Sequence, residues 1–252
     1  MNRRQVLTKI GKIGLGLGLG SLGALAPGCI TVTLEPTGIT GGFSSIRELE
    51  NTLKAAEEGG FVSGPWKGLG FHTCSVSDLS GINDYIHPNS KPILNFLYEI
   101  IGQQESWHDL LIEDKVGALF FNFQSRMRYK PNPFDQLELI NSWDLPEEHQ
   151  EKARAFYKRY RNTMIGIQTP EETLHFRTGD CEDLALLFTS LVRAAGINSG
   201  LELASLGNNT HHIISSYGFE GLVDPTVRGS FTAAKKAGRE YKNNPSCRLT
   251  SI

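Results

Sequence analysis

FRTGDCEDLALLFTSLVRAAGI occupies residues 176–197. From Asp180 onward, Leu184, Leu187, Phe188, Leu191 and Val192 recur at the spacing of a helix buried along one side, and Gly196 stops it. Asp180 is a natural N-cap, and Gly179 permits a sharp approach. Asp183 belongs in the first turn, where carboxylates complement the helix dipole. Cys181, one of only four cysteines, therefore stands at a helix N-terminus. A thiol attacks as thiolate, so a reactive site must lower its pKa or supply a base. The helix end favours the anion, whereas Asp180, Glu182 and Asp183 oppose it. The burden of activation passes to a histidine elsewhere in the chain, which with the helix end is expected to bring the Cys181 thiol well below its ordinary value of about 8.5.

After Gly196 the period changes to two. Leu201–Leu206 and His211–Tyr217 alternate, residues 218–221 form a turn, and Leu222 begins a return strand. The hairpin brings His212 and Asp224 onto adjacent strands. Strand alternation lets only one of His211 and His212 face a given side. Cysteine, histidine and aspartate in this order supply the parts of a catalytic triad.

Upstream, Ser45 with Glu48 forms a capping-box pattern opening a helix over 45–58, ended by Gly59-Gly60. Residues 61–90, rich in Gly, Ser, Asp, Asn and Pro, read as irregular. Pro92 opens a helix over 92–104. A longer apolar helix spans 107–129, and Pro131 and Pro133 forbid its continuation. Within the charged stretch 136–164, Glu147–Tyr160 is the clearest helix. Thr169-Pro170 starts a short helical lead-in. Helices, then a cysteine-bearing helix, then antiparallel strands make an α+β chain.

The 252 residues are 39% hydrophobic and 21% charged, with net charge −2. This suits a core of ordinary size and gives no basic surface for nucleic acid. No CxxC pair exists to support a zinc or disulfide-exchange site. Residues 1–29 have the layout of an export signal: Arg3, Arg4, Lys9 and Lys12, then a Gly/Leu-rich apolar stretch, then Cys29. Arg3-Arg4 looks like a twin-arginine signal, and Leu25–Cys29 looks like a lipobox that would lipidate Cys29. The expected location is the cell envelope, on its periplasmic side or anchored to the membrane by lipid. Residues 30–44 read as a tether, 45–105 as a helical N-terminal region, and 106–252 as the main domain. In an oxidising compartment Cys74 and Cys247 are the pair available for a disulfide, leaving Cys181 free.

The segments Gly179–Ala185 and Leu191–Ile197 resemble the signature helix of the transglutaminase-like superfamily of papain-like cysteine enzymes. Thr169–Leu174, His212–Ile214 and Asp224–Thr226 resemble its flanking segments, so the resemblance covers about residues 108–228. It implies a buried helix packed on an antiparallel sheet, with Cys181 as nucleophile, His212 as base and Asp224 as orienter; His211 is the alternate base. It implies an oxyanion hole using the Cys181 N–H and an upstream polar group that the sequence does not place. The implied reaction is hydrolysis of a peptide or amide bond in an envelope protein or peptide. Transfer of the acyl group to an amine is the variant, and a non-catalytic binding module is the alternative. No cofactor is required. Some relatives with this acid-flanked cysteine are calcium-dependent, which makes Asp180 and Glu182 candidate calcium ligands. Ile214 and Ser216 stand where many relatives carry an aromatic residue and an acid.

Overall fold

The computed structural model describes Arg47, Glu50, Asn51 and Lys54, all helical, then residues 60–61, 70–75, 79–102, 106–130, 146–206 and 211–252. The expected export segment with Cys29 and the tether lie outside the described residues. Among the described residues no helix is long and apolar enough to cross a membrane.

Strand β1 (Gly60–Phe61) pairs antiparallel with β2 (Gly70–Ser75). The extended β2 corrects the irregular reading of residues 61–90. A 3-10 turn follows at Leu79–Tyr85. Helix α1 (Lys91–Ile101) carries Pro92 in its first turn, where no intrahelical N–H is missed. A second 3-10 turn, Trp107–Asp109, precedes α2 (Ile112–Arg126). The helix expected over 107–129 is thus broken, because Leu110 and Leu111 adopt extended ψ values of 142° and 154°. Strand β3 (Arg128–Tyr129) closes this part.

Helix α3 (Glu147–Thr163) runs directly into β4 (Met164–Ile167), which pairs antiparallel with β2, Cys74 opposite Ile165. Thr169 caps α4 (Pro170–Phe176) with a complete capping box to Glu172. Strand β5 (Thr178–Gly179) pairs in parallel with β3. Helix α5 (Cys181–Ala194) follows at once. It ends as expected at Gly196, which has φ +76°. The Ile197 N–H reaches Val192 O and the Gly196 N–H reaches Arg193 O, closing the helix end.

Strands β6 (Ser199–Ser205), β7 (His211–Tyr217) and β8 (Gly221–Val223) form the expected antiparallel meander. Two elements that the sequence reading lacked follow, α6 (Phe231–Asn243) and β9 (Arg248–Ser251). The four-stranded sheet has the order β8-β7-β6-β9. The molecule is α+β. Cys247, just before β9, is a free thiol, so the pairing with Cys74 that the sequence left open is not made.

Helix α5 organises the core. Leu184, Leu187, Phe188, Leu191 and Val192 pack with Ile93, Phe96, Leu97 and Ile100 of α1 and with Val116, Leu119, Phe120 and Phe123 of α2. Helix α1, from the segment 45–105, therefore shares one core with helices of 106–252. The opposite side of α5, Ala185 and Leu186, packs against Ile82, Ile167, Leu201 and Ile213. The helix is buried all round, not on one side as its periodicity suggests, because the sheet covers its second face. Polar residues on that face pair off: Thr189 Oγ1 donates to Ser215 Oγ at 3.0 Å, and Ser215 Oγ to the Ala185 carbonyl at 3.2 Å. The rings of Phe120 and Phe123 meet Phe188 edge-on at 5.9 and 5.4 Å. Truncating Phe188 to alanine costs about 3–5 kcal/mol.

Candidate active site

Main-chain hydrogen bonds fix the approach to Cys181. Arg177 ends α4 in the left-handed region at φ 59° and turns the chain into β5. Its carbonyl accepts from Arg128 N at 2.9 Å, and the Gly179 carbonyl accepts from Lys130 N at 2.8 Å. Burial lowers the Lys130 ammonium to about 8. Gly179 has no room for a side chain, since a Cβ there would lie 2.5 Å from Asp183 Cβ.

Asp180 and Asp183 form a reciprocal box at the helix start. Asp180 Oδ1 accepts from Asp183 N at 3.4 Å, and Asp183 Oδ2 accepts from Asp180 N at 3.2 Å. Asp183 Oδ1 also accepts from Gln168 N at 2.6 Å, tying the end of β4 to the same helix start. Burial pushes Asp183 up to about 8, against the pull of those N–H groups. The Gln168 amide beside this box is buried, with neither side-chain atom hydrogen-bonded.

The Cys181 thiol is 9% exposed and donates to Glu182 Oε2 at 2.9 Å. Its pKa lies well above the ordinary value because of burial first, then the charges of Glu182 and Asp180 and the bond to Glu182; the Ile213 N–H pulls the other way. The resting thiol is therefore protonated. The helix end does not overcome desolvation, contrary to the depressed pKa expected from the sequence.

Ile213 adjoins His212 on β7. His212 Nε2 faces Asp224 Oδ2 at 2.9 Å, across the twelve-residue hairpin. The β7–β8 register sets Ser215 opposite Val223, so Asp224 follows the last residue of β8. Asp224 is buried at 3% exposure, and His212 is half-buried at 16%. Burial alone would lower the His212 pKa, but the Asp224 charge, its hydrogen bond and Glu182 together raise it. Burial alone would raise Asp224, but His212 and Thr226 hold it below the usual carboxylate range. His211, the alternate base, is exposed and faces Ser205 Oγ at 3.3 Å. The structure thus pairs His212, and not His211, with Asp224.

Two further residues complete the surroundings of Asp224. Thr226 donates to Oδ1 from its N–H at 3.0 Å and from its hydroxyl at 2.6 Å. An aspartate accepting from the residue two positions on is a known turn, so the Asp-Pro-Thr run carried that signal. Tyr241 of α6 donates its hydroxyl to Oδ2 at 3.4 Å, with its ring centroid 5.3 Å from that of His212. No local pattern in the sequence announces this contact.

The carboxylates do not build a cation site. Asp180 is buried and bonded within the capping box, and Glu182 accepts a hydrogen bond from the thiol. Among the described residues no group of three or more His, Cys, Asp or Glu is placed to hold a metal ion. Asp180 and Glu182 do not fit the role of calcium ligands.

Residues 140–224 match the family model of the transglutaminase-like superfamily. The match includes Cys181 and His212 and ends on Asp224. It covers about a third of the chain, and the described part of it is mixed helix and sheet, compatible with such a domain. Domains of this superfamily are typically enzymatic, as cysteine hydrolases or acyltransferases. No curated protein matches the chain.

Proposed function

We propose that the chain is a cysteine hydrolase acting on a peptide or amide bond, with Cys181 as nucleophile, His212 as base and Asp224 as orienter. The observation carrying this reading is the His212–Asp224 pair, with His212 on β7 next to Ile213, whose N–H faces the thiol at the α5 N-terminus, and Asp224 just past β8.

With Nε2–H given to Asp224, the neutral imidazole presents Nδ1 as the basic nitrogen. Cys181 Sγ attacks the carbonyl carbon and His212 accepts the thiol proton, forming a C–S bond and a tetrahedral oxyanion. The carbonyl re-forms as the C–N bond breaks, and the imidazolium returns its proton to the leaving amine. Water then attacks the thioester while His212 takes its proton. The acyl group leaves as an acid, and the proton returns to the thiolate. An amine replacing that water would give acyl transfer through the same thioester. Asp224 keeps the imidazole in the tautomer the first step needs.

The test is labelling of Cys181 by iodoacetamide at pH 7.5, mapped by mass spectrometry. Labelling should fall at least about a hundredfold in His212→Ala, the low end of general-base contributions. Labelling indifferent to His212 would leave a binding module as the better description. The basic and apolar start with Cys29 supports export and lipid attachment, so we place the substrate among proteins or peptides of the cell envelope. Metabolic labelling with an alkynyl fatty acid, lost in Cys29→Ser, tests that placement; equal incorporation by both forms refutes it.

A further inference from the structure

Tyr241 lies beyond the segment that matches the family, on a helix the match does not include. We propose that Tyr241 is a positioning residue of this site, fixing the Asp224–His212 pair through its hydroxyl and its ring. The proposal rests on the catalytic reading above and adds α6 to the working parts of the site.

The hydroxyl and His212 Nε2 share one acceptor, Asp224 Oδ2, at 3.4 and 2.9 Å. With Thr226 on Oδ1, the carboxylate receives donors at both oxygens and cannot rotate without losing them. The tyrosine ring lies beside the imidazole at a tilt of 38°, packing against the group whose orientation matters. Burial, Asp224 and Cys181 all raise the tyrosine pKa, so the hydroxyl stays a donor across the working range.

The approach of α6 is built into its sequence. Ala234, Ala237 and Gly238 are the buried residues of the helix. A Cβ at position 238 would lie 2.9 Å from the Leu222 carbonyl carbon. Asp224 N donates to the Ala234 carbonyl at 3.2 Å. Positions 234, 237, 238 and 241 fall on one helical stripe. Three small residues let the helix meet β8 closely, and the fourth delivers the phenol to the carboxylate. Packing alone would be served as well by phenylalanine.

The ionisable groups around the pair are Glu182 on α5 and Tyr241 on α6, with Cys181 and Cys247 acting on the tyrosine. The experiment is the titration of His212 in the full chain, followed by 15N-resolved imidazole NMR. Tyr241→Phe keeps the ring and removes one donor from Oδ2. More of the carboxylate charge then falls on the imidazolium, and the His212 midpoint should rise by about half a unit. A midpoint unchanged within about a tenth of a unit overturns the proposal, since a space-filling role leaves it unmoved. Tyr241→Leu should also open the imidazole to water and speed exchange of its Nε2 proton; unchanged exchange counts against the ring's part. If Cys181 labelling proves insensitive to His212→Ala, the hydrolase reading falls, while the titration still decides whether Tyr241 holds the pair.

Discussion

Replacing Glu182 by glutamine should make Cys181 more reactive. The carboxylate oxygen is 2.9 Å from the sulfur. At that distance a unit charge disfavours the thiolate by about 1.4 kcal/mol at the dielectric of water and about 6 kcal/mol at an effective value of 20. Glu182 is half-buried, so solvent screens it and the working figure is nearer the lower end, about 2 kcal/mol. That raises the thiolate population about thirtyfold at any pH below its titration. A less basic thiolate is also a weaker nucleophile, which returns about half of the gain on a logarithmic scale. The net expectation is about sixfold faster alkylation by iodoacetamide at pH 7, with the pH–rate curve displaced to lower pH. Glutamine keeps an acceptor for the thiol proton and nearly the same volume, so helix α5 should remain in place. The loss of one first-turn charge costs about 0.3–1 kcal/mol of stability. An alkylation rate that is unchanged or slower would refute the reasoning, because it would mean that burial alone sets the thiol.

Gly179→Ala should cost about 2–4 kcal/mol in urea denaturation, because the new Cβ displaces Asp183 from two buried N–H groups; a loss under about 1 kcal/mol would contradict the close approach. The His212–Asp224 pair predicts a pH window. Asp224, depressed in the fold, contributes above its unfolded value near 3.9 and loses its contribution as pH falls through the folded one. His212, raised in the fold, contributes fully below about 6.5 and loses it as pH rises through its folded value. Asp183, pushed up to about 8, withdraws stability as pH rises from its unfolded value near 3.9 until it ionises at about 8. The urea midpoint should therefore fall from pH 6 to about 8.5, and a rise over that range would overturn the assignment. Gly238→Ala should push α6 from β8, costing about 1–3 kcal/mol and moving the His212 titration as Tyr241→Phe does; an unmoved titration would show that α6 does not transmit the strain.

What the sequence disclosed follows from how local each feature is. Both ends of α5 were legible because caps are written within a few residues, Asp180 to Asp183 and Arg193 to Ile197. The approach of His212 to Asp224 was legible because a hairpin of twelve residues joins them. Strand β2 was not, because its partner β4 lies about ninety residues away and supplies the pairing that the local composition lacks. Helix α6 escaped notice although Phe231, Ala234, Ala237 and Tyr241 keep helical spacing opposite a charged face, because its buried residues are small and carry little weight as a hydrophobic run. Tyr241 was hidden with it. The direction of the thiol pKa was misread for a related cause. Charge can be counted along a chain, but the desolvation that dominates Cys181 depends on strands and helices that close over it from elsewhere.

The three carboxylates around Cys181 divide into a frame and a dial. Asp180 and Asp183 are locked into the main chain, and through Gln168 they join two separate elements, so replacing either dismantles the ledge on which the sulfur rests. Glu182 bears on the sulfur from outside that ledge. Reactivity at this position can therefore be reset by a single side chain while the scaffold stays untouched, and variants that need a slower or faster thiol have one place in the first turn of α5 where the change is cheap.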